Sequence, residues 1–539
     1  MRSIPLRLWA LALLSAILQI LPFPIAGPVP LWRRLFCWFC LVPLIYALLG
    51  VDRDGKPLRL YPAALLGYVC GVLWYAGNCY WIYRTMHIYG SIPSILSFGI
   101  LILFSLYLGL YLALFGAIVA ALRTKYSRTA VLLAIPFLWV AVELARARIT
   151  GFPWDLLGYT QVDNLILTRL APWTGVMGLS FVIAAVNALW LIRPSATGRL
   201  MKYLPVTMAL LFAVLGTFAT VHKRSRIVDL TSAVATLVQE NLNVGSEAPA
   251  TSETKQHMLE SFSQLSLHPT IGLTRKDNEL DGMPLNERSQ IILWPEAPTE
   301  FIDTDPILRH AISDLAKQAN APVIVNDVTV ASLNDGHPSL YNSASFFLSD
   351  GSYAGRYDKM HLVPFGEYTP YKPLFFFVGH LLDDLLFIPG THRSVFTADD
   401  KKYGVFICYE SIFGDDLRHF PLQGAQVLVN ISDDGWYGDT SAPWEHLDMV
   451  RMRAIENHRW LLRATNTGIT AAIDPEGRIT ATIPRHIRTS VQVRFGYEND
   501  LTFYSRYGDW FAWLCALATS LLLLLGFSRK RFTAQTQVN

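Results

Sequence analysis

The pattern of apolar and polar positions changes character twice along the chain. Up to about residue 221, long apolar runs alternate with short polar connections. A helix needs roughly 20 mostly apolar residues to cross a bilayer. On that measure Leu8–Ala26, Leu31–Leu49, Tyr61–Trp81, Ile95–Leu122, Ala130–Ala145, Leu170–Ile192 and Tyr203–Val221 are predicted spans, and Trp510–Phe527 is an eighth. Pro22 and Pro24 end the first run in a kink or turn. That run follows Arg2 and Arg7, yet no convincing small-x-small cleavage site follows it. Further spans do, so it reads as a span and not as a cleaved signal peptide.

From about Ile227 to Asp509 the texture is different. Ala233–Val238, Ile291–Trp294, Val323–Val325, Tyr403–Ile407 and Gln426–Ile431 read as buried strands. Thr251–Leu265, Asp305–Ala319 and Pro443–His458 carry helical periodicity. Ser343–Leu348 and Tyr353–Tyr357 form a hairpin around Ser349-Asp350-Gly351, and Gly468–Ile473 and Arg478–Ile483 form another around Asp474-Pro475-Glu476-Gly477. Strands mixed with helices predict a layered α/β domain with antiparallel hairpins.

Hydrophobic residues make up 52% of the chain and charged residues 16%, a balance too apolar for an ordinary soluble protein. The net charge of +3 gives no general electrostatic case for nucleic acid. Position matters more than sum. Arg53, Lys56 and Arg59, then Arg123, Lys125 and Arg128, then Arg193, Arg199 and Lys202, and finally Arg529, Lys530 and Arg531 all fall on one side of the eight spans. Positive loops stay in the cytoplasm, so both termini are expected inside and the domain between the last two spans outside. Arg33, Arg34, Arg146 and Arg148 run against that rule. Glu143 and Arg146 are spaced for an interfacial ion pair at i and i+3, the reading preferred over a functional membrane carboxylate. The aromatic stretch Gly151–Gln161 suits a membrane-interface loop.

Of the six cysteines, Cys37, Cys40, Cys70, Cys79 and Cys515 lie in apolar runs, and Cys408 alone lies in the α/β domain. Cys408 follows a strand. So does Glu296, after Pro295, and Lys359 follows a hairpin. Strand ends are where layered α/β folds gather reactive groups. Each residue by itself is commonplace: a small buried thiol, a capping or surface carboxylate, a solvated ammonium. Together they divide a task. The ammonium lowers the thiol's affinity for its proton and stabilises an oxyanion, and the carboxylate takes and returns a proton. Attack on an acyl group would give a thioester that an amine can open. Within the α/β domain no GxGxxG, P-loop, HExxH or CxxC pattern is present, and His361, His446 and His458 read as ordinary polar residues, so no metal or cofactor is expected.

The motifs Trp294-Pro295-Glu296, Asp358-Lys359-Met360-His361-Leu362-Val363-Pro364-Phe365-Gly366-Glu367-Tyr368 and Cys408-Tyr409-Glu410 resemble the Glu–Lys–Cys signature of the nitrilase superfamily. Spans on both sides narrow the likeness, as do Gly151–Gln161, Asn430–Asp439 and Arg463–Gly468. The whole chain resembles the bacterial apolipoprotein N-acyltransferase family. The resemblance implies an αββα sandwich on an eight-helix bundle, with 1–225 and 506–539 in the membrane part and 226–505 as the catalytic domain. It implies transfer of an acyl chain from a phospholipid, through a Cys408 thioester, to the N-terminal cysteine amine of a diacylated apolipoprotein. Glu296, Lys359 and Cys408 would be the triad. Glu367 would support Lys359 or the intermediate, and Tyr409 and Glu410 would shape the nucleophile's surroundings. It also implies a multi-pass protein of the bacterial inner membrane with a periplasmic catalytic domain, here expected to act as a monomer. One region departs: Glu240 stands where the family usually has glycine, and no Trp occurs from there to Leu265. The apolar stretch Leu374–Ile388, too short and too charged to span, is either a membrane-facing lid or an amphipathic helix packed on the domain. A membrane-tethered amidase with the same triad and a non-catalytic lipid-binding or transport protein are the rival readings.

Overall fold

The computed structural model describes residues 4–192, 207–208, 211, 233–244, 252–269, 271–272, 287–296, 301–334, 337–368 and 387–528. They fall into two compact units. One is drawn from Met1–Arg224, Asp439–Asp448 and Tyr507–Asn539, the other from Ser225–Gly438 and Met449–Arg506.

The first unit is helical. Among the described residues, four helical segments are long and apolar enough to cross a membrane: α2 (Leu31–Leu48), α3 (Leu60–Asn78), α4 (Ser94–Arg123) and α5 (Arg128–Thr150). Three apolar helices are shorter: α1 (Leu6–Ile20), α6 (Val176–Leu189) and α10 (Trp510–Gly526). Of the eight expected spans, four reach that length among the described residues. The seventh predicted span, Tyr203–Val221, lies almost wholly outside the described residues. α1 stops ahead of Pro22 and Pro24, as ring geometry requires. α3 and α4 pack backbone to backbone through glycine. A Cβ on Gly67 would stand 2.1 Å from the Leu112 carbonyl oxygen, and one on Gly116 would stand 2.4 Å from that of Ala63.

Two expectations for this unit change. Gly151–Gln161 is not a surface loop, because Phe152 to Gln161 are buried. Trp154 stacks near Phe152 and donates from Nε1 to Glu445 Oε2 at 2.7 Å. Glu143 and Arg146 serve this loop instead of each other. Glu143 Oε1 accepts from the Leu157 N–H at 2.8 Å and from Trp139 Nε1 at 2.9 Å. Arg146 donates to the Trp154 carbonyl at 2.6 Å. A buried loop leaves backbone groups without water, and these two charged side chains satisfy them.

The second unit is built on two sheets. The first has strand order β2-β13-β1-β3-β4-β5-β6, with β1 (Ala233–Gln239), β2 (Ile271–Gly272), β3 (Ile291–Leu293), β4 (Val323–Asn334), β5 (His337–Phe347), β6 (Tyr353–Asp358) and β13 (Thr489–Phe495). The second has order β12-β11-β10-β9-β8-β7, with β7 (Val395–Ala398), β8 (Lys401–Ile407), β9 (Val427–Ser432), β10 (Trp460–Thr465), β11 (Thr470–Ile473) and β12 (Ile479–Ile483). β1, β3 and β4 run parallel in one sheet, and β8, β9 and β10 in the other. Parallel strands buried on both faces read as continuous apolar runs, which is why AVATLV and IIL were recognisable.

The sheets face each other, and Phe346 of β5 stacks on Phe396 of β7 with ring centroids 4.8 Å apart. α7 (Ser252–Leu267) and α8 (Pro306–Ala319) cover the first sheet, with Leu259, Phe262, Leu308, Ile312 and Leu315 in one core with Val323 and Val325. Residues Met449–Asn457 of α9 (Ala442–Asn457) run beside the second, where Arg451 donates to the Gly477 carbonyl at 2.8 Å. The order is helix, sheet, sheet, helix. Both hairpins form where the turn sequences place them, and Gly351 adopts φ +82° in the first. Phe346→Ala is expected to destabilise this unit by about 3–5 kcal/mol, because it removes a fully buried ring from between the sheets. A lower midpoint of thermal unfolding in detergent checks this.

Candidate active site

Three loop exits carry the chemistry. β3 ends at Leu293, and Pro295 cannot continue the ladder. Trp294 anchors the exit, donating from Nε1 to Ser266 Oγ at 2.9 Å and stacking on Phe262. The next residue outward is Glu296. β6 ends at Asp358, and Lys359 is fixed there through its N–H to the Asn342 carbonyl at 2.8 Å. β8 ends at Ile407, and the chain turns sharply into a 3-10 helix over Cys408–Ile412. The turn places Cys408 at φ +51°, a left-handed conformation costly for a residue with a Cβ. The sharp strand-to-helix corner holds the thiol at the end of the sheet.

The predicted trio comes together. Lys359 Nζ lies 2.8 Å from Glu367 Oε1 and 3.4 Å from Glu296 Oε1, with the lysine side chain 1% exposed. Glu367 is held at its other oxygen by the Val363 N–H at 2.7 Å. Glu410 is buried and staples two of the exits together. Its Oε1 accepts from Tyr357 Oη and the Met360 N–H, both at 2.7 Å, and its Oε2 accepts from the Ile407 N–H at 2.7 Å. Tyr409 is buried beside Phe413. None of the six cysteines is in a disulfide.

Electrostatics change one expectation. Burial pushes the Cys408 thiol well above its ordinary value, Glu296 adds to this, and the ammonium of Lys359 opposes it without prevailing. The lowering that the sequence led one to expect from Lys359 is thus outweighed by burial. Burial acts to lower the Lys359 value, but Glu296, Glu367 and Cys408 outweigh it, and the side chain stays an ammonium.

Two supporting residues escaped sequence reasoning. Asn342 of β5 donates from Nδ2 to Glu296 Oε1 at 2.8 Å and to Glu367 Oε1 at 2.9 Å, while its Oδ1 accepts from Asn326 at 2.7 Å. Nothing in a strand sequence marks such an asparagine. The N–H of Asp433 donates to Glu296 Oε2 at 3.0 Å. Burial pushes the Asp433 carboxyl up to about 7, and Asn466 binds it at 3.1 Å. Asn466 also accepts from the Leu242 N–H at 2.8 Å, tying the stretch after β1 to the loop that holds Glu296. Glu240 accepts from Arg488 Nε at 3.0 Å and from Ser261 Oγ, joining the end of β1 to α7. Most of Leu374–Ile388 lies outside the described residues. Of the histidines, His446 stacks near Trp154 and His361 pairs with Asp416. His458, Glu498 and Asp500 place ligand atoms within 4.8 Å of one another, a grouping that shares no residue with the trio.

A two-sheet α/β unit with helices outside both sheets, in a chain that also carries apolar helices, marks a nitrilase-like domain in a membrane-integral protein. The carbon-nitrogen hydrolase family model matches residues 236–494, and the model of the apolipoprotein N-acyltransferase N-terminal domain matches residues 5–189. An apolipoprotein N-acyltransferase of Geobacter metallireducens is 36% identical over 98% of this chain and 97% of its own length. One of Methylococcus capsulatus is 31% identical over 93% and 94% respectively. Among solved structures, an amidase from Nesterenkonia sp. is 14% identical, covering 53% of this chain and 96% of its own, with a TM-score of 0.36. The chain belongs to the apolipoprotein N-acyltransferase family.

The charges around Cys408 set the sign of a direct test. Lys359→Met should push the pH midpoint of Cys408 alkylation by iodoacetamide upward, and Glu296→Gln should pull it downward while acyl transfer is lost. Asn342→Ala should cut turnover about 10- to 100-fold with substrate KM little changed, as expected for loss of a group that orients the base. Steady-state kinetics on the purified variant check this.

Proposed function

We propose that the protein transfers an acyl chain from a phospholipid to the N-terminal cysteine amine of diacylated apolipoproteins, through a thioester on Cys408. The observation that carries this reading is the buried contact of Lys359 with both Glu296 and Glu367, with Cys408 held at a strained strand-to-helix corner. The thiol attacks the donor's ester carbonyl while Glu296 takes its proton. Lys359 sits where it offsets the negative charge on the tetrahedral oxygen. The intermediate collapses to the thioester, the lysophospholipid oxygen leaves, and Glu296 returns the proton to it. In the second half the acceptor amine attacks the thioester, Glu296 takes a proton from nitrogen, and the sulfur regains it as the amide forms. Glu367 holds Lys359 in place, and Glu410 keeps the nucleophile's corner against the lysine loop. Tyr409 lines the thiol's surroundings.

Family membership supports this over water as acceptor, and so does the site's burial, which limits hydrolysis of the thioester. The reading extends to a monomer of the bacterial inner membrane with eight spans, a periplasmic catalytic domain over residues 226–505 and both termini in the cytoplasm. Leu374–Ile388 would serve as the membrane-facing lid that receives the acyl chain. The chemistry asks for no cofactor.

Purified protein incubated with phospholipid alone should gain acyl mass on the peptide bearing Cys408, and hydroxylamine should remove it. Cys408→Ala should gain none. Adduct on that variant would show that another residue is the nucleophile.

A further inference from the structure

β8 and β9 run parallel with Ile407 beside Ile431, so Cys408, the first residue past β8, comes next to Ser432, the last residue of β9. Ser432 is fully buried, and its Oγ donates to Asp434 Oδ1 at 3.0 Å. Asp434 is not free to move. Its Oδ2 accepts from Arg463 Nη2 at 2.6 Å, and both side chains are 0% exposed. Arg463 is fixed in turn by a hydrogen bond to Asn430 Oδ1, across the register of β9 and β10. An ion pair wholly withdrawn from water is costly to build, and removing one partner leaves a buried charge unpaired. Here it does one evident thing: it presents a rigid carboxylate to the hydroxyl beside the nucleophile.

A serine hydroxyl has one proton to give and two lone pairs to receive with. While Cys408 is a thiol, the Ser432 proton is committed to Asp434. Once the sulfur is a thiolate, it has no proton and needs a donor. The other groups acting electrostatically on the thiol are Glu296 and Lys359 from the first sheet, Asp434 from the loop after β9, and Tyr437. Burial and Glu296 push the thiol up, while Lys359 and the Ser432 hydroxyl, as a donor to the charged sulfur, pull against them. Lys359 is already shared between two carboxylates.

We propose that Ser432 is a positioning residue for the nucleophile: its hydroxyl donates to Asp434 in the resting thiol and turns to donate to the Cys408 sulfur when the proton leaves for Glu296. The Asp434–Arg463 pair fixes the resting orientation. Only a hydrogen bond changes partner, so no further reactant is needed. The proposal rests on Cys408 being the nucleophile.

The test measures iodoacetamide alkylation of Cys408 against pH in the full-length protein, read by peptide mass, together with the rate of acyl-adduct formation from phospholipid. Ser432→Ala should move the alkylation midpoint upward by about half to one pH unit, the size of one lost hydrogen bond. It should slow adduct formation several-fold at unchanged KM. Ser432→Thr, which keeps the hydroxyl, should retain the parent profile. A Ser432→Ala profile that superimposes on the parent's, or a Thr variant shifted as far as the Ala variant, overturns the proposal. Acyl mass in the parent on a peptide other than that of Cys408 overturns the nucleophile assignment and the proposal with it. That outcome is told apart because it appears with no substitution made.

Discussion

Lys359 is 1% exposed, and its ammonium stands within 3.4 Å of two carboxylates, Glu296 and Glu367. An ammonium taken out of water costs several kcal/mol unless it is paired and hydrogen-bonded, and breaking such a pair typically costs about 3–5 kcal/mol. The rest of the catalytic unit follows from that constraint. One cation cannot neutralise two carboxylates, so the excess negative charge has to be spread over donors. Asn342 gives its amide to both, the Asp433 N–H serves Glu296, and the Val363 N–H serves Glu367. These donors come from β5, from the loop after β9 and from the loop after Lys359. The two sheets must therefore bring their strand ends together for the charges to be tolerable. Burial and the same crowding of carboxylates push the Cys408 thiol above its ordinary value.

How much of this the sequence disclosed depends on the physical signal each part leaves. β1, β3, β8 and β9 were legible because parallel strands buried on both faces are continuous apolar runs. Glu296, Lys359 and Cys408 were legible because each follows such a run or a hairpin and bears a reactive group. β10 and β13 were missed because Arg463, Arg494 and Gln492 interrupt their apolar pattern. The structure shows Arg463 buried in an ion pair, which periodicity cannot anticipate. Asn342 and Asp433 were missed as supports for the base because their role comes from tertiary contact alone. β4 was read as ending at Val325 and continues to Asn334, paired along β5 with polar residues that carry no strand signal of their own.

The helical unit follows the same logic in a different medium. Gly151–Gln161 looked like an interface loop because of its aromatics, yet its aromatics pack inward and charged side chains satisfy its backbone. Glu143 and Arg146 were read as partners from their spacing. Spacing on a helix shows which side chains can meet, and the buried loop offered each a better partner. At Glu240 a carboxylate just past β1 ties that strand to α7 and to Arg488, contacts that only the folded chain discloses.

The central claim is that acyl transfer passes through a covalent stage on Cys408, and a single-turnover chase tests it most directly. Protein charged with a phospholipid bearing a labelled acyl chain is freed of lipid and then mixed with a diacylated lipopeptide. Label leaving the Cys408 peptide and arriving on the acceptor's N-terminal amine, at no more than one acyl group per protein and at a rate no slower than overall turnover, is the expected result. Label that stays on the protein, or transfer that resumes only when phospholipid is returned, would contradict it.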